Sequence, residues 1–232
     1  MGNSFGGLLR TPPLVFLETE KPMTYNLDCT IAQSPEARER VYRLRYCCYS
    51  RNGSIDPRPD CQFSDHYDQK PNHFSFLVRN PAQEPLATVR ISVVKPELGW
   101  TESPAGTVFR DHAALEAVSR ESFVEASRLC FGQQARRDIF MRLLGNMAAL
   151  ADFYQVAWLI ACPRMEHSPL YQRLFGFRPL AAPRPYFGVK FETQMLGIRT
   201  EDLRSHVKGA ASMQKAWAGA LAELTGKRTI LT

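Results

Sequence analysis

Long apolar runs are missing from this sequence of 232 residues. No stretch approaches the roughly 18 residues that would suggest a membrane span, and the most apolar one, Val156 to Cys162, is short enough for a buried strand. A secretion signal is also missing. It would need a basic start, a long apolar middle and a small-residue cleavage site, but Leu14 to Leu17 is brief and Glu18, Glu20 and Lys21 follow it. Met-Gly-Asn-Ser-Phe-Gly places Gly6 where a myristoylation signal wants Ser or Thr. The six cysteines form no C-x-x-C pair, which argues against a zinc cluster. Free buried thiols in a reducing cytoplasm account for them. The net charge of +6 comes without a helix-turn-helix, zinc-finger or RNP-like signature. The basic excess therefore points to an acidic partner other than nucleic acid, an acidic carrier protein among the candidates.

What is present reads as one domain. Residues 1–24 form an expected extension and residues 25–232 a single unit, with no internal repeat. Apolar periodicity switches between two and about 3.6 along the chain. Strands are expected at Tyr25–Ala32, His73–Arg79, Leu86–Val94, Phe123–Leu129, Ala157–Cys162 and Val189–Leu196. Ser34-Pro35-Glu36 signals the start of a helix that Asn52-Gly53 ends. Arg136–Tyr154 is a strongly periodic helix, and Ser168–Leu174 a short one. A C-terminal helix with Leu203, Val207, Trp217, Leu221 and Leu224 as anchors is expected to break near Gly209. The order predicts an α/β mixed sheet with helices on both faces.

Five groups of residues carry potential chemistry. Arg38, Tyr42, Arg45 and Tyr49 share one face of the first helix by three-and-four spacing and suit a carboxylate, or form a solvated basic face. Asp65-His66-Tyr67-Asp68, late in a long loop, offers two carboxylates to an ammonium or to arginines; further oxygen ligands for a metal are missing from the local pattern. Arg90 stands in the middle of an apolar strand, where a charge demands a partner such as Asp65 or Asp68. In Val124-Glu125-Ala126-Ser127-Arg128-Leu129, Glu125 and Ser127 share one face of a regular strand. A bulge there would turn Arg128 into the same cleft and free backbone N–H groups to polarise a carbonyl. Gly132, Arg136 and Arg137 lie between that strand and the long helix, where an anion can sit on a helix N-terminus.

In this order and spacing, Arg45-Tyr46-x-x-Tyr49, Asp65-x-x-Asp68, Arg90 and Glu125-x-Ser127-Arg128 resemble the charged signature of the acyl-homoserine-lactone synthases. The stretches Leu170–Phe177 and Arg184–Val189 are more similar to their relatives, the N-acyl amino acid synthases. The likeness covers about residues 25–196. Tyr49 replaces the usual Phe of the lactone synthases, and Ile55 their usual Trp, which favours a simple amino acid acceptor over S-adenosylmethionine. Lyso-ornithine-lipid synthases share part of the pattern.

The resemblance implies a GNAT-like fold and transfer of a long-chain acyl group from acyl carrier protein or acyl-CoA to an amine, with no other cofactor. It implies Glu125 as general base and Tyr171 as the acid for the leaving thiolate, unless Tyr171 is simply packed in its helix. Arg45, Tyr49, Asp65, Asp68, Arg90 and Arg128 would bind the acceptor. Ser127, Leu129, Gly132, Arg136 and Arg137 would meet the donor. Phe74, Phe76, Phe109, Trp158, Phe175 and Phe187 are candidate walls of an acyl tunnel, or core. A non-catalytic module that binds acyl chains or carrier protein is the rival from another class. Peripheral membrane contact through Arg204, Lys208 and Lys215 is a third reading.

Overall fold

Residues 27–133, 137–207 and 211–226 are described by the structure, a computed structural model. The extension expected at 1–24, Arg136, Lys208 and the break near Gly209 lie outside them. The elements run β1 (Asp28–Ile31), α1 (Pro35–Arg51), β2 (His73–Arg79), β3 (Pro85–Val94), α2 (Pro104–Val108), α3 (Ala113–Arg120), β4 (Phe123–Phe131) and α4 (Arg137–Phe153). They continue with β5 (Trp158–Ala161), α5 (Ser168–Phe175), β6 (Arg178–Pro179), β7 (Arg184–Pro185), β8 (Glu192–Thr193), β9 (Leu196–Arg199), α6 (Thr200–His206) and α7 (Ala211–Gly226). Seven strands form one sheet in the order β1-β2-β3-β4-β5-β9-β6, and β7 and β8 pair separately. Every pairing is antiparallel except β4 with β5.

Local chemistry explains the boundaries of α1. The Ser34 hydroxyl accepts from the Ala37 N–H, Pro35 opens the first turn, and Gly53 takes a left-handed φ of 62° beyond the Asn52 cap. Two expectations need correction. Residues 96–121, left without elements by their lack of clear periodicity, hold α2 and α3. The last strand is β9 at Leu196–Arg199, because residues 184–193 leave the main sheet and fold back as the β7–β8 hairpin.

Strand alternation gives the central sheet two unlike faces. Phe74, Phe76, Val89, Ile91, Val93, Val124 and Ala126 point to one side and join Ile139, Leu143 and Met147 of α4 in the main core. Met213, Trp217, Ala220 and Leu224 of α7 extend that core. The Trp217 indole N–H donates to Asp152 Oδ2 at 2.8 Å, and Arg204 pairs with Asp152, so this C-terminal region is packed on α4. Among the described residues no helix is long and apolar enough to cross a membrane.

His73 and Ser75 of β2, Thr88, Arg90 and Ser92 of β3, and Glu125 and Ser127 of β4 point to the opposite side. Their cross-strand rows are in register: Ser75 opposite Arg90 opposite Ser127, and His73 opposite Ser92 opposite Glu125. Apolar clusters close this polar band at both ends. One is built by Leu77 with Val41 and Tyr42 of α1, the other by Val94 and Phe123 with Phe109, Leu115 and Val118 around α2 and α3.

Candidate active site

Two irregularities in β4 create the site. Thr88 pairs with Cys130 and Arg90 with Ser127, so Val89 faces two residues, Arg128 and Leu129. This is a β-bulge, and Arg128 takes a φ of 54° within it. On the other flank, β5 pairs with β4 only from Phe123–Trp158 to Ala126–Ala161 and then ends, while β4 continues to Phe131. Beyond Ala126 the two parallel strands part.

The bulge turns Arg128 towards the polar band, where three guanidiniums meet two carboxylates. Arg45, fully buried on α1, donates to Asp68 Oδ1 and to Ser75 Oγ, both at 2.8 Å. Arg90, also fully buried, donates to Asp65 Oδ1 at 2.5 Å and to Ser127 Oγ at 3.1 Å, and lies 3.3 Å from Asp68 Oδ1. Arg128 reaches Asp65 Oδ2 at 2.8 Å and the Phe187 carbonyl at 3.4 Å. The rings of Phe63 and Phe187 lie 4.4 and 5.3 Å from its guanidinium carbon.

The aspartates also shape the loop that carries them. Asp65 caps the short helical turn at His66–Gln69 by accepting from the Tyr67 N–H, and Asp68 reaches back to the Asp65 N–H at 3.0 Å. Burial alone would raise both carboxyls. Arg90 and Arg128 outweigh it at Asp65, and Arg45 and Arg90 at Asp68, so both are held below the usual carboxylate range. Three cations against two anions leave this network one positive charge in excess. Arg90 Nη2 and Arg45 Nε are buried with no hydrogen-bond partner among the described residues.

Glu125 sits in the same band, at the point where β4 and β5 part, and is fully buried. Its Oε2 accepts from the Ala105 N–H at 2.8 Å and its Oε1 from the Tyr186 hydroxyl at 2.9 Å. Burial pushes the carboxyl above its ordinary value, against the opposing pull of Ala105, Tyr186, Ser103 and Arg90. On the same row, across Ser92, the His73 ring places Nδ1 2.7 Å from Ser92 Oγ. Burial and then Arg90 push the His73 imidazole down to about 3.

The structure brings Arg45, Asp65, Asp68, Arg90, Ser127 and Arg128 into one network, with Glu125 on the next row. Ser127, expected to meet the donor, is bonded to Arg90. Tyr49 packs beside Phe63, 5.0 Å between ring centroids, and its hydroxyl lies 3.5 Å from the Leu129 carbonyl; burial raises its phenol to about 12. Gly132 donates its N–H to the Leu86 carbonyl and accepts from Arg51, while Arg137 is exposed at the start of α4. Tyr171 is buried and makes no hydrogen bond to the network; its ring is set edge-on to Phe140 and Phe177, and burial raises its phenol, with Tyr49 and Cys162 near enough to add to the rise. Of the candidate tunnel walls, Phe74, Phe76, Phe109 and Phe175 are buried in the core clusters. Trp158 packs at the edge of one of them, and Phe187 alone adjoins the network.

Sequence reasoning gave no role to Tyr186, Ser75 or the Ala105 N–H. Ser75 and Ser92 had a signal, since with His73, Thr88 and Arg90 they are the polar members of the alternation in β2 and β3. Nothing in local spacing points Tyr186 at Glu125, 61 residues away.

Comparison with known proteins agrees with this geometry. Residues 40–199 match the family model described as N-acyl amino acid synthase FeeM. The solved structure of FeeM, an N-acyl amino acid synthase from uncultured soil microbes, is similar with a TM-score of 0.66 at 15% identity, over 80% of this chain and 96% of that one. BjaI, a CoA-dependent acyl-homoserine lactone synthase, gives 0.56 at 19%, over 84% and 97%. A putative N-acetyltransferase from Lactobacillus plantarum gives 0.50 at 14%, over 75% and 98%. No curated protein matches in sequence. At such identities the structural likeness speaks for the fold, which is GNAT-like, and the family match, spanning well over half of the chain, speaks for more. The chain belongs to the N-acyl amino acid synthase family of N-acyltransferases.

Proposed function

We propose that this N-acyltransferase moves a long-chain fatty acyl group from the thioester of an acyl carrier protein, or of coenzyme A, to the α-amine of an amino acid. The observation that carries this reading is the placement of Glu125, a buried carboxyl of raised proton affinity where two parallel strands part, one row from a cluster of arginines.

The chemistry follows from that placement. An α-amine is mostly protonated at neutral pH and cannot attack a carbonyl until a base removes a proton. Glu125 is that base, acting through water, and its burial strengthens it. The flank of β4 beyond Ala126 has no strand partner in β5. It suits the amide-bearing arm of an acyl thioester laid along it. Backbone N–H groups from Ala126 to Leu129 stabilise the oxyanion of the tetrahedral intermediate. The surplus charge of Arg45, Arg90 and Arg128 attracts the acceptor's carboxylate. Arg137, with Arg136 and Arg142, offers positive charge to an acidic carrier protein, so binding should weaken with salt.

The test is incubation with long-chain acyl carrier protein and a mixture of free amino acids, read by mass spectrometry, with Glu125→Gln in parallel. An N-acyl amino acid formed by the native chain and lost in the variant is the expected result. Carrier protein bound without any product would favour the non-catalytic module, and a lactone formed only with S-adenosylmethionine would move the chain to the lactone synthases.

A further inference from the structure

The proton cycle of this reaction needs a donor for the leaving thiolate, and the site offers one beside Glu125. We infer that Tyr186 is a proton carrier between Glu125 and the sulfur of the acyl donor. This rests on the reading of Glu125 as the base.

The geometry is specific. Tyr186 lies on the turn after β7, buried, with its ring stacked on Phe187 at 5.5 Å and 21°. Its hydroxyl is 2.9 Å from Glu125 Oε1. The hairpin that carries it is pinned at several points. Arg184 binds the Val108 carbonyl and Asp111, the Lys190 N–H donates to the Ser54 carbonyl, and Thr193 bridges to Arg164. Glu125, which the Tyr186 hydroxyl meets, pairs with Ile160 of β5, one residue before the last β4–β5 pair, Ala126 with Ala161. The Tyr186 oxygen therefore lies at the seam where β4 and β5 separate, beside the path proposed for the thioester. Tyr171 hydrogen-bonds to no described residue, Glu125 included, and its ring sits edge-on among Phe140, Phe175 and Phe177.

Glu125 takes one proton from the acceptor's ammonium. The freed nitrogen lone pair forms the C–N bond while the carbonyl π pair moves to oxygen. Protonated Glu125 now donates to Tyr186, which reverses the hydrogen bond from the Tyr186 hydroxyl to Glu125 Oε1 and frees the phenol O–H to turn to the sulfur. As the carbonyl re-forms, the C–S bond breaks and its electron pair leaves on sulfur. The phenol proton passes to that sulfur and the Glu125 proton passes to the phenol oxygen. Glu125 is a carboxylate again and takes the second proton from nitrogen, which is released to solvent. The sum is one amide, one thiol and one proton from one ammonium and one thioester.

The test compares Tyr186→Phe on two donors with the same acyl chain, a pantetheine (alkyl) thioester and an S-phenyl thioester. An aryl thiolate leaves without a proton. Positioned acids contribute about 100-fold at the low end of their usual range, and a thiolate leaves fairly well, so a loss of about 10- to 100-fold in kcat is expected on the alkyl donor. On the aryl donor the loss should nearly vanish, with the acceptor KM little changed on both. Tyr171→Phe should show no such contrast. Because both donors meet one preparation of each variant, partial misfolding cancels in the ratio. An equal loss on both donors would make Tyr186 a positioning residue for Glu125 and overturn the relay, as would no loss at all. Glu125→Gln should be inactive on both donors; full activity there would overturn the base itself, and the relay with it.

Discussion

Arg90 is the part of the polar band whose removal has the most calculable cost. Arg90→Met keeps much of the side-chain length and deletes the guanidinium that meets Asp65 Oδ1 at 2.5 Å, Asp68 Oδ1 at 3.3 Å and Ser127 Oγ at 3.1 Å. Asp68 stays buried and Asp65 largely so, with Arg45 and Arg128 as their remaining cations. Breaking a buried ion pair by removing one partner costs about 3–5 kcal/mol, because the charge left behind is uncompensated. Domains are stable by about 5–15 kcal/mol, so the variant should fold with a sizeable part of its stability gone. At roughly 2–4 °C per kcal/mol for a chain of this size, the melting temperature should fall by about 6–20 °C. Urea unfolding followed by circular dichroism would measure it. Asp65→Asn, alone and combined with Arg90→Met, completes the cycle, and the two changes should be non-additive by about 1–3 kcal/mol since the groups touch. A loss below about 1 kcal/mol for Arg90→Met, or additivity within about 0.5 kcal/mol, would refute the claim that the network is a coupled buried unit.

Other expectations concern the same band and the packing behind it. Asp65 and Asp68 have folded-state pKa values below their unfolded ones, so their contribution is present at neutral pH and lost as pH falls below about 4. Urea midpoints measured from pH 7 to 3 should drop at the acid end, and Asp68→Asn should flatten that limb. Glu125 has the opposite sign: its raised pKa makes the folded state pay for ionisation, a contribution that is favourable at low pH and lost as pH rises through the folded pKa. Glu125→Gln should therefore be at least as stable as the native chain at pH 7 while inactive, and a large drop in its melting temperature would count against a base held at a cost to stability. A Cβ at Gly145 would stand 2.8 Å from the Ala216 backbone carbon and 2.9 Å from its Cβ. Gly145→Val should thus force α7 off α4 and cost about 1–3 kcal/mol or more in urea unfolding.

Much of this architecture is legible in the amino-acid order. The capping hydroxyl of Ser34 and the left-handed Gly53 delimit α1, and the alternation of Phe74, Phe76, Val89 and Ile91 marks β2 and β3 as strands with one dry face. An arginine in the middle of such a strand had to find a carboxylate, and Arg90 found Asp65 and Asp68. The bulge was conceivable from Glu125-Ala126-Ser127-Arg128 because only a register shift brings Arg128 to the side of Glu125. What was hidden depends on long-range closure. The strand expected at Val189–Leu196 runs across the second arm of the hairpin into the start of β9, and only tertiary contacts fold residues 184–193 back so that Tyr186 reaches Glu125. Similarly, Ala105 enters the site through its backbone N–H, which no side-chain pattern can announce. The short helices α2 and α3 are held by Phe109, Leu115 and Val118 against Val94 and Phe123, a cluster too small to leave a clear period.

The charge count of the network carries a last expectation about the acceptor. Arg45, Arg90 and Arg128 outnumber Asp65 and Asp68 by one, and two buried guanidinium nitrogens, Arg90 Nη2 and Arg45 Nε, have no partner among the described residues. Leaving a buried donor unsatisfied costs about 1–3 kcal/mol, more when it is charged. Glu125 offsets the excess only when ionised, and its burial works against ionisation. An acceptor that brings its own carboxylate removes this penalty, whereas the corresponding decarboxylated amine does not. A charge-assisted hydrogen bond is worth about 1.5–3 kcal/mol, so the amine should show a KM roughly 10- to 150-fold higher than the amino acid. Carboxylate binding also takes the surplus charge away from Glu125, which raises its proton affinity at the moment the ammonium arrives. The amine should therefore lose kcat as well as affinity, and the two effects separate in steady-state kinetics. Equal KM and kcat for the amino acid and its decarboxylated amine would mean that the spare N–H groups serve the fold alone and that acceptor choice is made elsewhere.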